Sequence, residues 1–258
     1  MIFNITSSKN EKFKFFKSLK TKKARTEFFR YTVEGIKSVH DAVNANSAID
    51  AILVSQTFYN EQNIEYINDI DIYVIGDEIF SSLSTTETPQ GIIAVIKKND
   101  NEFVINPEKD YIYCDHIQDP GNLGTIIRTA DAAGFGGVIL SPDCVEVYNP
   151  KTVRASMGSF FHVAISENIP VSTLLEYKSL GFSIVCGSLS ENTVNYTDAD
   201  FTKPVIIAVG NEANGISDEL LCTSDINIKI PILGSAESLN AAVAAAIIMY
   251  EVNRQKSL

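Results

Sequence analysis

The stretch YIYCDHIQDPGNLGTIIRTADAAGFGGVILS, residues 111–141, decides the fold class of this 258-residue chain. Residues 111–117 predict a strand, residues 122–134 a helix that ends at Gly134, and residues 136–141 a second strand. A strand, a helix and a strand in this order form a parallel pair with a helical crossover. We therefore expect an α/β fold with a mainly parallel sheet.

The same alternation continues to the end of the chain. Strands are predicted at 162–166, 182–188, 204–210 and 226–232, and helices at 150–161, 171–181, 217–222 and 238–256. The last helix is rich in alanine, so it either packs centrally or lies at an oligomer interface.

The first half predicts a smaller α/β domain. Its strands are expected at 32–35, 51–55, 70–76 and 91–98, with helices at 36–45 and 78–84. Residues 98–108 are polar and lack apolar periodicity. We predict an N-terminal domain at 1–97 that includes a basic arm, a linker at 98–108, and a second domain at 109–258.

Composition excludes several classes of protein. No apolar run reaches the roughly 18 residues of a membrane span, and the N-terminus lacks the apolar core of a secretion signal. The four cysteines are far apart and form no C-x-x-C pair, which argues against a zinc site or a disulfide scaffold. We expect reduced thiols, a cytoplasmic location and no bound metal.

Charge is distributed unevenly along the chain. The net charge is −11, yet residues 1–30 hold nine basic and two acidic residues, a net +7, so the remainder carries −18. Such a segment indicates either polyanion binding or a solvated helix face. Phe13, Phe16 and Leu19 fall near one helical stripe, by which the segment is expected to dock with its lysines outward. The candidate polyanion contacts are Lys9, Lys22, Lys23, Arg25 and Arg30.

Three loops follow predicted strands, at the edge where open α/β sheets bind ligands. They span residues 115–136, 209–217 and 228–246. Their glycines do not match the dinucleotide fingerprint, and no phosphate-loop lysine follows them. The sequence of these loops therefore does not support dinucleotide binding or ATP hydrolysis.

Taken singly, each loop also has an ordinary structural explanation. Asn122 and Ser238 are suited to capping helices, and Arg128 to a surface pair with Asp131. The segment VGNEANGIS, residues 209–217, suits a turn, although Glu212 is less easily explained there. Asn240 is a poor helix former and lacks such an explanation.

Together and in this order, the loops resemble the SpoU (TrmH-type) RNA ribose 2′-O-methyltransferases of the SPOUT class. The matches are DPGNLGTIIRTADAAG at 119–134, GNEANGIS at 210–217 and IPILGSAESLNAAVAAAI at 230–247. The first half resembles the substrate-binding domain often fused to these enzymes, through VEG at 33–35 and STTETPQGIIAV at 84–95.

The resemblance implies a fold, a cofactor and site residues. The fold would be a SPOUT domain with a deep trefoil knot, and the enzyme would be a homodimer with its active site at the subunit interface. S-adenosylmethionine would be held by Gly210, Ile230 and Leu239. The catalytic pocket would comprise five residues: Asn122, Arg128, Glu212, Ser238 and Asn240.

The implied reaction moves a methyl group from a sulfonium to a ribose 2′-hydroxyl without a metal. The relatives' counterpart of Arg128 is proposed to help the hydroxyl lose its proton. Because a free arginine is a poor base, Arg128 is first expected to fix the adjacent phosphate and lower the pKa of the hydroxyl.

We predict a 23S ribosomal RNA substrate. Three alternatives remain: a tRNA 2′-O-methyltransferase, a catalytically inactive RNA-binding relative, and an unrelated nucleotide-dependent α/β enzyme. The matching site residues argue against the second alternative, and the glycine spacing argues against the third.

Overall fold

A computed structural model describes residues 1–62, 70–98, 103–188, 193–211 and 213–257. The chain divides into two compact units. The first comprises Met1–Asn101 and Tyr148–Phe161, and the second comprises Glu102–Val147 and His162–Leu258. Each unit has its own sheet.

The described strands are β1 (Ile2–Ile5), β2 (Arg30–Glu34), β3 (Ile49–Ser55), β4 (Asp71–Ile75), β5 (Ile92–Lys97), β6 (Tyr111–Cys114), β7 (Gly137–Leu140), β8 (Ala164–Ser166), β9 (Ser183–Gly187), β10 (Val194–Asn195), β11 (Val205–Val209) and β12 (Ile226–Lys229). The described helices are α1 (Glu11–Ser18), α2 (Lys22–Phe28), α3 (Ile36–Asn44), α4 (Gln56–Glu61), α5 (Asp77–Phe80), α6 (Pro120–Ala132), α7 (Pro150–Ala155), α8 (Val171–Ser179), α9 (Asp218–Thr223) and α10 (Ala241–Lys256).

The first unit is built on a mixed five-stranded sheet with the order β1-β4-β3-β5-β2. Strands β1, β4 and β3 are parallel, whereas β5 is antiparallel to both β3 and β2. Alternate residues of the strands enter two separate apolar clusters, with Ile52 and Val54 in one and Leu53 in the other. The sheet is therefore covered on both faces.

The basic N-terminal segment is part of this core. Phe13, Phe16 and Leu19 are all buried against the sheet, which confirms the predicted apolar stripe. The described lysines of α1 and α2 are exposed, and Lys9 precedes α1 at the surface. The segment is thus a folded element with a cationic outer surface.

The two arginines predicted to bind polyanions are held differently from the lysines. Arg25 is only 3% exposed, and its Nη1 donates to the carbonyls of Leu19 and Lys20 at 2.9 Å. The prediction that Arg25 contacts a polyanion does not fit this burial, because backbone carbonyls hold its guanidinium inside the fold. Arg30 is half-buried and pairs with Asp50.

The two motif segments of the first half meet in the structure. The Glu34 carboxylate accepts hydrogen bonds from the Thr85 backbone N–H at 2.9 Å and from the hydroxyls of Thr85 and Thr86 at 3.0 and 2.9 Å. Gln90 Oε1 accepts from the Ile36 backbone N–H at 2.8 Å. These bonds fix the loop at 84–90 against the end of β2.

Residues 148–161 pack within the first unit, although they lie far along the chain. The Tyr31 ring lies 4.8 Å from that of Tyr148 and 5.6 Å from that of Phe160, measured between centroids. The helix predicted over 150–161 is interrupted after α7, because Met157 and Gly158 adopt φ values of 52° and 92°. A short 3-10 turn then closes the segment.

The second unit contains a seven-stranded sheet in the order β10-β12-β9-β11-β6-β7-β8, and every described pair in it is parallel. This confirms the predicted α/β fold with a mainly parallel sheet. Helices α8 and α9 contribute to an apolar cluster on one face, while α10 packs with α6 and β11 on the other.

The predicted linker lies only partly within the described ranges, because residues 99–102 fall outside them. The Phe103 ring packs edge-on against Tyr111, at 5.9 Å between centroids, and Ile105 joins the apolar cluster of the second unit. This part of the segment is anchored by its side chains. Within the described ranges, every helix falls short of the length and apolar character that a bilayer crossing requires.

Candidate active site

The carboxyl ends of β9, β11 and β12 surround a cavity of about 520 Å³ in the second unit. Parallel strands all end at one edge of their sheet, so the loops that follow them converge there. Gly210, Ile230 and Leu239, the three predicted cofactor residues, line this cavity together with Ser238. The volume lies in the range of small-molecule sites.

The loop after β11 turns back on itself directly behind Gly210. Asn211 and Gly215 exchange two backbone hydrogen bonds of 2.8 Å, and Gly215 has a φ of +72°. A Cβ atom on Gly210 would lie only 2.2 Å from the backbone carbon and oxygen of Gly215. Position 210 therefore requires glycine, and the cavity wall here is formed largely by backbone.

The Asn211 side chain holds this loop in place. Its Nδ2 donates to the His116 carbonyl at 2.8 Å, and its Oδ1 accepts from the backbone N–H groups of Ala213 and Asn214. Glu212, predicted to be catalytic, lies outside the described residues.

The loop before α10 supplies the opposite wall. The helix begins at Ala241 and is capped by Asn240, whose Oδ1 accepts from the backbone N–H groups of Ala242 at 3.0 Å and Val243 at 3.3 Å. The interpretation of Ser238 as a helix cap is therefore wrong. Ser238 lies in the extended loop, where it lines the cavity.

The interpretation of Asn122 as a helix cap is also wrong. Helix α6 begins at Pro120, and the Asp119 side chain caps it by accepting from the Asn122 backbone N–H at 2.8 Å. Proline suits the first helical position because its φ is fixed and its missing N–H would have no partner there. Asn122 consequently lies within the first turn of α6.

The side chains of Asn122 and Asn240 meet although 118 residues separate them. Asn240 Nδ2 donates to Asn122 Oδ1 at 2.9 Å. One asparagine thus caps α10 and also ties the first predicted motif to the third. The cap and this contact together explain why an asparagine, a poor helix former, stands at position 240.

Arg128 lies six residues further along α6 on an exposed face. Its guanidinium makes no hydrogen bond or ion pair with any residue in the described part of the chain, so the surface pair with Asp131 does not form. Arg128 is not among the residues that line the cavity. An exposed guanidinium can grip a phosphate that approaches from solvent.

Sequence reasoning missed some residues of the cavity wall. Gly187 and Ser188, at the end of β9, line it together with Glu237 from the loop before α10. A Cβ on Gly187 would lie 3.1 Å from Ile248 Cδ1, which shows how closely α10 approaches this strand. The position of Gly187 and Ser188 at the carboxyl end of the strand predicted over 182–188 was the signal that could have revealed them.

The cysteines near this edge are poor nucleophiles. Burial raises the pKa of the Cys144 thiol, and burial raises the pKa of the Cys186 thiol to about 12. All four cysteines are free thiols. Since the thiolate is the reactive form, the site does not support covalent cysteine chemistry. Among the described residues, no group of three or more metal-binding side chains comes together.

Two family profiles match this chain. The profile of the SpoU rRNA Methylase family matches residues 109–250, and that of the MRM3-like substrate binding domain matches residues 10–94. The first covers the loops that form the cavity, and the second covers most of the first unit.

Individual relatives agree with these profiles. The 23S rRNA (guanosine(2553)-2′-O)-methyltransferase RlmP of Bacillus subtilis is 37% identical over 96% of this chain and 98% of its own length. The tRNA (guanosine(18)-2′-O)-methyltransferase of Aquifex aeolicus is 40% identical, but over only 58% of this chain and 71% of its own.

A solved structure extends the similarity to three dimensions. The AdoMet-bound rRNA methyltransferase from Sinorhizobium meliloti matches with a TM-score of 0.88 and 29% identity, over 98% of both chains. Two profiles, a full-length relative and a full-length structural match therefore agree with the geometry of the site, and the chain belongs to the SpoU rRNA methylase family.

Proposed function

We propose that this protein transfers a methyl group from S-adenosylmethionine to a ribose 2′-hydroxyl of 23S ribosomal RNA. The observation that carries the proposal is the cavity formed by Gly210, Ile230 and Leu239, beside which the Asn122–Asn240 hydrogen bond joins two motif loops. An AdoMet-bound relative with the same fold over the full chain supports the identity of the cofactor.

The residues of the cavity fit this cofactor. Backbone at Gly210 and Gly215 offers polar groups, and Ile230 and Leu239 offer apolar surface, as adenosine requires. Glu237 lines the same cavity and supplies a negative charge for a cationic ligand. Gly210, Ile230 and Leu239 are therefore proposed to hold the cofactor, which supplies a methyl group on a positively charged sulfur.

The protein itself must position the ribose 2′-hydroxyl and lower the pKa of that hydroxyl. Arginine stays protonated at neutral pH, so Arg128 is proposed to fix the phosphate beside the ribose and lower the pKa of the hydroxyl electrostatically. The bond between Asn122 and Asn240 holds both amides in fixed orientations. These two residues and Ser238 are proposed to shape the pocket, with Glu212 as a further member.

Ribosomal RNA is favoured over transfer RNA by the extent of the similarity. The relative that methylates 23S rRNA matches both units, whereas the tRNA enzyme matches only 58% of the chain. The first unit is therefore proposed to bind rRNA, with Lys9, Lys22, Lys23 and Arg30 as contacts. A cytoplasmic location is proposed together with this substrate, in line with the bacterial relative that methylates 23S rRNA.

A homodimer is also proposed. Val243 and Tyr250 on α10 are 48% and 53% exposed, and the partly exposed Ala246 and Ile247 lie between them on the same helical face. This apolar stripe is one that a second copy could cover, with small residues that permit close approach. The trefoil knot implied by the family remains part of the proposal, supported by the full-length structural match.

Methyl transfer to RNA tests the proposed function. Purified protein with tritiated S-adenosylmethionine should label in vitro transcribed 23S rRNA and leave bulk tRNA unlabelled, in EDTA as well as in magnesium. The label should map to a ribose 2′-oxygen, and the guanosine methylated by the Bacillus relative is the first position to test. Labelled tRNA with unlabelled rRNA would reverse the substrate assignment, and binding without transfer would identify an inactive relative.

Substitutions at Arg128 and Gly210 should separate chemistry from cofactor binding. Arg128→Lys keeps the charge but loses the planar fork, so kcat should fall by at least about 100-fold with unchanged cofactor affinity. Gly210→Ala should instead weaken S-adenosylmethionine binding, because its Cβ overlaps the Gly215 backbone. Single-turnover transfer and calorimetry measure the two effects. Near-normal transfer by Arg128→Lys would contradict the geometric role of the guanidinium.

The dimer can be tested on the apolar stripe of α10. Tyr250→Asp places a charge within the proposed interface and should shift the protein from dimer to monomer, as measured by light scattering after size exclusion. Leu180→Asp is the matched control, since Leu180 is 53% exposed at the end of α8. A wild-type monomer, or equal behaviour of the two variants, would contradict the proposed interface.

Charge neutralisation tests the lysines of α2. The double variant Lys22→Gln, Lys23→Gln should weaken RNA binding and reduce the slope of log affinity against log salt by roughly 1 to 2 units. Deleting residues 1–30 would be uninformative, because Phe13 and Phe16 belong to the core. The control is Lys109→Gln, Lys203→Gln, two exposed lysines before β6 and β11, at the sheet edge opposite the cavity. Equal slopes for both variants would show that the α2 lysines form only a solvated helix face and do not contact RNA.

A further inference from the structure

A second cavity of about 430 Å³ lies beside the proposed cofactor cavity, on the other side of the loop that follows β11. Asn211, Asn214, Gly215 and Ile216 line both cavities, so this loop forms a common wall. The other described lining residues are His116, Gln118 and Ser217. Neither the sequence motifs nor the proposed reaction assigns these three side chains a role.

The His116 ring is held at the rim of this cavity. Its Nδ1 lies 2.8 Å from Oδ1 of Asp115, a fully buried carboxylate, so the ring donates from Nδ1 and leaves Nε2 for a ligand. The backbone is also fixed: its N–H donates to Ser141 Oγ at 2.8 Å, and its φ is a left-handed 55°. The His116 side chain is nevertheless 44% exposed. A clamped backbone and an oriented, accessible ring are features of a functional position.

The Ser217 hydroxyl makes no hydrogen bond with any described residue. Ser217 occupies the capping position of α9, yet its side chain makes no capping hydrogen bond. Its Oγ is buried without a partner in the described part of the chain, while its backbone N–H donates to Asp115 Oδ2 at 2.8 Å. An unpaired buried hydroxyl is costly, so a ligand that bonds to it would recover the lost interaction.

Gln118 completes the set of polar groups. Its Nε2 donates to the carbonyls of Asp143 at 2.6 Å and His116 at 3.2 Å, which orients the amide. The cavity is thus lined by an imidazole, a serine and an amide side chain, with Ile216 and the Gly215 backbone as a less polar wall. Several hydrogen-bonding groups beside an apolar surface are what the edge and face of an unstacked nucleobase require.

We propose that this second cavity is a nucleobase subsite for the RNA substrate, contacted by His116 and Ser217. The inference rests on the proposed function, because it takes the substrate to be RNA. A base placed here would lie one loop away from the cofactor cavity. Enzymes that modify nucleotides commonly take a base out of its stack, and a polar pocket beside the reactive site receives such a base.

Ser217→Ala gives the sharpest test, because the hydroxyl it removes makes no bond within the described protein. The variant should raise KM for in vitro transcribed 23S rRNA about three- to tenfold, the worth of one hydrogen bond to substrate. Cofactor affinity should not change, and Tm should not fall, because the lost hydroxyl makes no bond among the described residues. His116→Asn should also raise KM, since asparagine tolerates the left-handed backbone but lacks the ring. Ser179→Ala, on the exposed end of α8, is the matched control and should match wild type.

The bound base can be identified by removing bases from the RNA. Ligated transcripts with an abasic residue at the methylated nucleotide, or at either neighbour, are compared between wild type and Ser217→Ala. The difference in KM should vanish only for the transcript that lacks the bound base, which distinguishes the target base from a flanking one. A difference that persists on every abasic transcript would overturn the subsite.

Two failures can be told apart. If wild type transfers methyl groups to rRNA while Ser217→Ala and His116→Asn keep the wild-type KM, the subsite is refuted and the proposed function stands. If wild type transfers no methyl group to any RNA, the proposed function fails and the subsite with it.

Discussion

The parallel alignment of β6, β11, β9 and β12 is the constraint on which the site depends. Each loop that follows one of these strands leaves the sheet at the same edge, so residues far apart in sequence share one space. Gly210 and Gly187 then allow two close approaches, one to the returning loop and one to α10. The hydrogen bond from Asn240 to Asn122 joins the start of α10 to the first turn of α6. The topology of the parallel sheet therefore determines where the cavity lies. The two glycines let its walls come close together, and Asn240 holds two of its loops in place.

The first unit carries a positively charged surface, although the protein as a whole is acidic. Phe13, Phe16 and Leu19 anchor the basic segment in the core, so its lysines stand on a rigid surface. Arg25 is an exception among these basic residues, because backbone carbonyls bind its guanidinium and keep it buried. An ordered cationic surface loses less conformational entropy on binding than a free arm would.

The loop that follows β11 is shared by the two cavities described above. It is held by the Asn211 side chain, by the backbone pairing of Asn211 with Gly215, and by Asp115 through the Ser217 N–H. Because Asp115 also orients His116, one buried carboxylate links both sides of the second cavity. Rigid support of this kind places polar groups where a ligand needs them, with little reorganisation on binding.

The sequence by itself determined the alternation of strands and helices in the second half, and hence the parallel sheet and its ligand edge, because periodicity and turn residues are local properties. It also determined the buried stripe of α1 and the family motifs that single out Gly210, Ile230 and Leu239. Only the tertiary structure decided which asparagine caps and which side chain faces a cavity: Asp119 and Asn240 cap α6 and α10, while Asn122 and Ser238 do not. It alone placed residues 148–161 against Tyr31, buried Arg25, and left the Ser217 hydroxyl without a hydrogen-bond partner among the described residues. Such outcomes depend on contacts between segments distant in the chain, which a pattern read along one segment does not contain.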